Sequence, residues 1–137
     1  MKIAIKSDVG QRRTLNEDAA GYFLNTQNVP MIVVCDGIGG HNAGDVASAM
    51  ALSHLGKRWE EESITDTEAA YQWLVKNIQA ENDRIFQKAN QYRELDGMGT
   101  TLVVAVIIGS ELLIANVGDS RAYLYRNFQI KQLTEDH

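Results

Sequence analysis

The stretch "VPMIVVCDGIGGHNAGDVAS", from Val29 to Ser48, joins an apolar run to a glycine-rich loop and to the start of a helix. The run up to Asp36 is short, β-branched and almost wholly apolar, which predicts a strand buried on both faces. Pro30 stands at its start, where a missing backbone N–H is tolerated. Glycines follow Asp36 directly, and a helix is expected from Ala43. The stretch is therefore either an elaborate turn or the floor of a site for a charged ligand.

Two strands are predicted upstream of this stretch. Ile3, Ile5 and Ser7 alternate with lysine and alanine, which is the period of a β-strand. The segment "DAAGYFL", from Asp18 to Leu24, is the second strand.

Two helices are predicted downstream. The first is expected to cover about 43–62, and the second follows a cap at Thr65 or Asp66 and ends near Arg93. Asn82 falls on the apolar stripe of the second helix, either as a buried residue with hydrogen-bond partners or as a half-exposed edge position. The two stripes comprise Val46, Ala49, Leu52, Leu55 and Trp59 in the first helix, and Leu74, Ile78, Ile85 and Ala89 in the second.

Four strands in hairpin succession are predicted after the second helix. Gly109-Ser110 and Gly118-Asp119 supply the residues of two of the turns. Strands in runs, rather than alternating with helices, indicate an α+β fold with antiparallel sheets. Two sheets packed as a sandwich with helices outside would bury both faces, although the chain supplies one helical layer. The strands are "TTLVVAVIIG", "ELLIANVG", "SRAYLYR" and "FQIKQLT".

Composition and charge restrict the classes of function. The chain has 137 residues, of which 45% are hydrophobic and 23% charged, as is typical of one globular domain. Its formal net charge of -5 argues against a nucleic-acid partner, because phosphate backbones favour clustered Lys and Arg. No apolar run approaches the ~18 residues of a membrane span, so no membrane association is expected. The chain has one cysteine, Cys35, which excludes an internal disulfide and is interpreted as a small core residue. Because the absence of disulfides fits a reducing compartment, we expect a cytoplasmic protein.

Three aspartates stand at the ends of predicted elements. Asp18 opens a strand, Asp36 ends the apolar strand, and Asp119 lies in a hairpin turn. Carboxylates beside glycines, whose carbonyls are accessible, suit hard divalent cations such as Mg²⁺ or Mn²⁺. Each aspartate alone has a simpler interpretation, because Asp-Gly is common in turns. Their occurrence together in this order favours a metal site.

Four segments of the chain are similar to the motifs of one enzyme family. In order, "DVGQRRTLNEDA", "VVCDGIGGHNAGDVAS", "GMGTTLVVAVI" and "ANVGDSRAYL" resemble the signature motifs of the metal-dependent protein serine/threonine phosphatases (type 2C, or PPM), in their bacterial branch. The resemblance extends from Asp8 to His137. It implies a β-sandwich between helical layers, with two and in some members three Mg²⁺ or Mn²⁺ ions at one end of the sheets. It also implies hydrolysis of phosphoserine and phosphothreonine by a metal-activated water, without a phosphoenzyme.

The resemblance assigns the metal ligands. Asp36 would bridge two ions, with the carbonyl of Gly37 as a further ligand. Asp18 would bind metal directly and Glu17 through a water molecule. Asp119 would serve a third, weaker metal site.

The resemblance also assigns groups that act on the substrate. Arg13 would hold the substrate phosphate, which a guanidinium fork matches geometrically. The position where much of the family has a catalytic histidine is Ile38 here, and His41 could protonate the leaving alkoxide instead. His41 is equally explained as a loop histidine bonded to a neighbouring side chain. Thr100 and Thr101 are expected near the metals.

The family's later motifs, which supply further aspartates, do not occur before His137. Residues 1–137 are therefore expected to be the N-terminal part of a single phosphatase domain, truncated at its C-terminal end. We expect weak or no activity from this chain, and self-association through uncovered apolar surface. The expected partners of the parent enzyme are phosphorylated proteins, with a cognate Ser/Thr kinase and its substrates. The alternative is a non-catalytic binding module that keeps the fold and a partial metal site.

Overall fold

The computed structural model describes residues 18–39, 43–117, 123–126 and 129–132, and the side chains of 19–39 and 43–117. A turn of 3-10 helix at Arg93–Leu95 links the second helix to the third strand. The strand expected around Ile3 to Ser7 lies outside the described residues. The elements are β1 (Asp18–Leu24), β2 (Pro30–Ile38), α1 (Ala43–Glu60), α2 (Thr67–Gln91), β3 (Gly99–Ile108), β4 (Glu111–Val117), β5 (Tyr123–Arg126) and β6 (Gln129–Gln132).

The first four strands form one antiparallel sheet in the order β1-β2-β3-β4, and β5 pairs with β6 in a separate two-stranded sheet. Residues that pair directly across antiparallel strands share a face of the sheet. Accordingly, Val33 lies opposite Val104, and both side chains are fully buried. This architecture confirms the predicted α+β class, and it is an incomplete form of the sandwich with one helical layer.

Burial alternates along β2, so the expectation that this strand is buried on both faces is wrong. Met31, Val33 and Cys35 are fully buried and belong to the core shared with both helices. On the opposite face, the side chain of Val34 is 43% exposed and that of Ile38 is 55% exposed. The reason is that α1 and α2 cover one face of the sheet only. The other, here called the open face, carries Asp36.

Helix α1 packs against the sheet through its smallest side chains. The predicted stripe is therefore partly wrong, because Ala49 is exposed and Val46 and Leu52 are half-buried. Alanines at four-residue spacing let the helix axis approach the strands closely. A Cβ added at Gly56 would overlap the ring of Phe23 in β1, which shows how close this approach is. The buried stripe comprises Ala43, Ala47, Ala51, Leu55 and Trp59.

Two buried polar contacts tie the end of α1 to the β1–β2 turn. The indole Nε1–H of Trp59 donates to the carbonyl oxygen of Val29 at 2.9 Å. Asn25 is 4% exposed, and its Nδ2 donates to the carbonyl oxygen of Ile64 at 2.8 Å. These bonds satisfy polar groups that would otherwise be costly to bury, and they fix the start of β2 beneath the helices.

Asp66 caps the N-terminus of α2, and its side-chain oxygen accepts a hydrogen bond from the backbone N–H of Ala69 at 2.8 Å. This confirms one of the two predicted caps. Leu74, Ile85 and Ala89 are buried as expected, whereas Asn82 is exposed and is the edge position of the two alternatives. In the described part of the chain, neither helix is apolar enough over sufficient length to cross a lipid bilayer.

Candidate metal centre

The register of β1 and β2 places Asp18 directly opposite Asp36. Positions that pair in this way lie on the same face of the sheet, and like charges directly opposite each other are destabilising. Two carboxylates at such positions would repel each other, and a bound cation would relieve that repulsion. Since this pair stands at the end of the β1–β2 ladder, the candidate centre lies at one end of the sheet, on its open face.

The neighbouring strand holds the backbone of Asp36 in place. Thr101 lies opposite Asp36 in β3, and its hydroxyl Oγ1 accepts a hydrogen bond from the backbone N–H of Asp36 at 3.2 Å. Thr101 is 5% exposed, so this bond is shielded from water. The Oγ1 of Thr100 in turn donates to the carbonyl oxygen of Thr101 at 2.8 Å. The structure thus places Thr101 in contact with Asp36, and the expectation that Thr100 and Thr101 lie near bound metals stays a prediction.

The glycines after Asp36 allow the chain to pass between two elements. Gly37 is buried and pairs with Thr100. Gly39 has a φ of 145°, a conformation that L side chains rarely adopt. A Cβ there would lie 2.9 Å from the Cβ of Ala43 and 3.3 Å from the Cα of Met98. The glycine is therefore required for the loop to run from β2 into α1 at this distance.

Four of the predicted site residues, Arg13, Glu17, His41 and Asp119, lie outside the described residues. Asp18 is described by its backbone register alone. Among the side chains that the structure describes, no three histidine, cysteine, aspartate or glutamate groups converge on one point. The described part of the chain thus brings together the positions of Asp18 and Asp36, with Gly37 beside them.

The donors at this end of the sheet fit a hard divalent cation in type. They are carboxylate and backbone carbonyl oxygens, which are the ligands that Mg²⁺ and Mn²⁺ prefer. Asp36 is half-buried, so a bound ion would be partly shielded from bulk water while remaining accessible to a substrate. The arrangement is suited to holding cations against a phosphate group.

Cys35 is adjacent to Asp36 but belongs to the opposite face. Its side chain is fully buried in the core on the helix side. Burial raises the pKa of the Cys35 thiol to about 12, and a hydrogen bond with Thr100 only partly offsets this. A thiol that stays protonated at neutral pH is a poor nucleophile. The interpretation of Cys35 as a core residue is supported, and a cysteine-based mechanism is disfavoured.

Comparison with known sequences identifies relatives along the whole chain. The sequence model described as "Protein phosphatase 2C" matches residues 11–137. The chain is 47% identical over 138 residues to "Serine/threonine phosphatase stp" of Listeria monocytogenes serovar 1/2a, covering 100% of this chain and 55% of that protein. It is 40% identical over 137 residues to "Protein phosphatase PhpP" of Streptococcus pneumoniae, again covering 100% and 55%. The chain therefore spans about half the length of the curated relatives it matches.

Solved structures share the fold. Serine/threonine phosphatase Stp1 from Staphylococcus aureus superimposes with a TM-score of 0.90 at 45% identity, over 96% of this chain and 52% of that chain. The S. agalactiae serine/threonine phosphatase gives 0.92 at 38% identity, over 96% and 54%. The catalytic domain of PstP, solved with two manganese ions, gives 0.79 at 34% identity, over 96% and 54%.

Proposed function

Because the chain belongs to the protein phosphatase 2C family, we propose that it forms part of a protein serine/threonine phosphatase. This enzyme would hydrolyse phosphoserine and phosphothreonine with a water activated by Mg²⁺ or Mn²⁺. The observation that carries the proposal is the direct pairing of Asp18 with Asp36 at one end of the sheet. The manganese ions in the PstP structure support the choice of cation.

In this proposal Asp36 would hold the cations together with Asp18 and the carbonyl of Gly37. Ions bound there would lower the pKa of a shared water and neutralise charge that develops on the phosphoryl group. Thr101 positions Asp36 through the 3.2 Å bond to its backbone N–H. Because this bond already fixes the backbone of Asp36, the residue would lose little conformational freedom when its carboxylate binds a cation.

The remaining site residues enter the proposal from the family resemblance. Arg13 orients the substrate phosphate through its guanidinium group. His41 donates a proton to the leaving alkoxide of serine or threonine. Glu17 would contribute to the metal site through a water molecule, and Asp119 would serve a third, weaker cation.

We further propose that residues 1–137 are the N-terminal part of one phosphatase domain. Affinity for these cations depends on the number and charge of the ligands. Residues 1–137 by themselves should then hydrolyse phosphate esters weakly or not at all. The competing function is a non-catalytic binding module that keeps the fold and a partial metal site.

The proposed partners are phosphorylated proteins of the cytoplasm, with a cognate Ser/Thr kinase and its substrates. Self-association of the 137-residue chain is proposed through the open face of the sheet. Tyr22, Leu24 and Val34 on that face are each more than 40% exposed, and contiguous exposed apolar surface favours association.

The test of the metal site is Asp36→Asn, with Asp83→Asn as its matched control, since Asp83 is an exposed aspartate on α2. Mn²⁺ affinity would be measured by titration calorimetry on residues 1–137. Turnover with p-nitrophenyl phosphate and a phosphothreonine peptide would be measured on a polypeptide extended to the length of the relatives. We expect Asp36→Asn to weaken Mn²⁺ binding at least ~10-fold, because one charged ligand is lost, and to abolish turnover. Asp83→Asn should change neither.

Two other outcomes are decisive. Unchanged Mn²⁺ affinity in Asp36→Asn would show that the metal site is wrongly assigned. Mn²⁺ binding without turnover, in a polypeptide that extends beyond residue 137 to the length of the relatives, would favour the binding module.

A further inference from the structure

A cavity of ≈ 140 Å³ lies between α1, α2 and the start of β3, on the helix side of the sheet. Its walls are formed mainly by aliphatic side chains, of which Ala51 and Leu55 in α1 and Leu102 in β3 are buried. Ile78 and Ile85 of α2 close the opposite side. Apolar protein cavities of about 150 Å³ stay dry and bind benzene, so this volume suits one six-membered ring.

A buried carboxylate forms part of the wall. Glu81 of α2 lines the cavity and is 3% exposed. His54 Nδ1 lies 2.8 Å from Glu81 Oε1 and 3.0 Å from Oε2, and Arg84 Nη1 donates to Oε2 at 3.1 Å. An ionised carboxylate can accept about four hydrogen bonds. Glu81 therefore retains accepting capacity that a donor inside the cavity could use.

The cavity has an opening beside Phe86. This side chain lines the cavity and is 66% exposed, which is unusual for a phenylalanine. Asn82, also exposed, stands one turn before it on the same rim. The cavity therefore reaches the protein surface at these two side chains of α2.

We propose that this cavity is a binding site for a small single-ring aromatic molecule that carries one hydrogen-bond donor. The ring packs among Leu55, Ile78 and Leu102, and its donor faces Glu81. Binding brings the ring into dispersion contact with these aliphatic side chains, which is the physical source of the affinity. The site is independent of the proposed phosphatase function, because Asp36 lies on the open face and the cavity lies on the helix face.

Phenol is the probe for the test. Its binding to the protein would be followed by chemical shifts of the methyl groups of Leu55, Ile78 and Leu102. We expect saturable shifts at these methyls with a dissociation constant on the order of 1 mM, as is reasonable for a ligand of seven heavy atoms. The shifts should not require metal, so loss of metal binding in Asp36→Asn should leave them unchanged.

The cavity-filling variant is Ala51→Leu, and its matched control is Ala49→Leu, the same change at an exposed position of the same helix. Ala51→Leu should weaken phenol binding at least ~10-fold, because the added side chain occupies the space of the ring. Ala49→Leu should bind as the unmodified protein does. If Ala51→Leu fails to fold, the location of the methyl shifts in the unmodified protein decides. Shifts that do not saturate, or that appear only at other methyls, would overturn the proposal.

Discussion

Thr101 in β3 accepts a hydrogen bond from the backbone N–H of Asp36 in β2 at 3.2 Å. The side chain of one strand thereby holds the main chain of its neighbour at the residue that the family resemblance places between two cations. Since Thr101 is almost fully buried, its hydroxyl cannot be replaced by solvent without rearrangement. A side chain that ligates cations must be held in one orientation, and hydrogen bonds from neighbouring residues hold it there.

Replacement of Thr101 tests this support. Thr101→Val keeps the shape but removes the acceptor, which costs about 1 kcal/mol at a buried hydrogen bond. We expect a several-fold loss of Mn²⁺ affinity by calorimetry, together with a lower melting temperature. Thr101→Ser keeps the hydroxyl and should restore most of the metal affinity. Equal metal affinity in the valine and serine variants would contradict a positioning role.

The contact of Gly56 with Phe23 predicts that replacing this helical glycine by alanine lowers stability, which is the opposite of the usual effect. Alanine in place of glycine inside a helix ordinarily stabilises by up to about 1 kcal/mol. At Gly56 the added Cβ would overlap the Phe23 ring. We expect Gly56→Ala to lower the free energy of unfolding by about 1 kcal/mol in urea denaturation, because overpacking outweighs helix propensity.

The double variant Gly56→Ala, Phe23→Leu separates the two effects. Leucine lacks the ring atoms that the new Cβ would meet, so adding Gly56→Ala to Phe23→Leu should be neutral or stabilising. A loss of the same size in both backgrounds would show that the ring contact is not the cause.

The cap at Asp66 predicts a local stability effect. Asp66→Ala removes the acceptor for the backbone N–H of Ala69, and we expect the free energy of unfolding to fall by about 1 kcal/mol. The adjacent exposed residue Thr65 provides the control, and Thr65→Ala should have an effect of at most about 0.5 kcal/mol. Urea denaturation followed by circular dichroism measures both. Comparable losses in the two variants would mean that the cap is assigned to the wrong residue.

The raised pKa of Cys35 predicts resistance to alkylation. With a pKa of about 12, the thiol has almost no thiolate at pH 8. Iodoacetamide should therefore leave the folded protein unmodified over hours and should modify it quickly in urea. Mass spectrometry reads out both reactions. Rapid modification of the folded protein would show that Cys35 is accessible.

The same shift predicts a pH dependence of stability. The folded thiol binds its proton more tightly than the unfolded thiol, whose ordinary pKa is 9.0. This stabilising contribution is fully present below pH 9.0 and is lost as the pH rises towards about 12. Cys35→Ala should therefore lose less stability than the unmodified protein between these limits. Parallel stability curves for the two proteins would contradict the shift.

Much of the secondary structure could be predicted from the residues alone. The span Asp18–Leu24 was expected and is observed as β1, and the Asp66 cap was one of two candidates. These features depend on residues close in sequence. They are the alternation of apolar and polar residues in strands, a capping side chain at the start of a helix, and glycines in turns. The order of the motifs likewise indicated the family before any contact was known.

The candidate site was predicted in part. The aspartate at the end of the apolar strand could be recognised from the glycines that follow it. That Asp18 and Asp36 stand directly opposite each other is a matter of strand register, which a one-residue slip would alter. The burial of Glu81 between the half-exposed His54 and Arg84 had no signal in the sequence, because charged residues on a helix are ordinarily solvated.

The sequence by itself therefore indicated the described elements to within a few residues, and it placed Asp18 and Asp36 close to the ends of strands. The tertiary structure alone decided which faces are buried. Helix α1 packs through Ala47 and Ala51 rather than through the larger Val46 and Leu52, since close approach to the sheet favours small side chains. Strand β2 is exposed on the open face because α1 and α2 cover only the other face of the sheet. The apolar composition of the strand does not specify which face is covered. Burial depends on partners distant in sequence, and these are set only when the chain has packed.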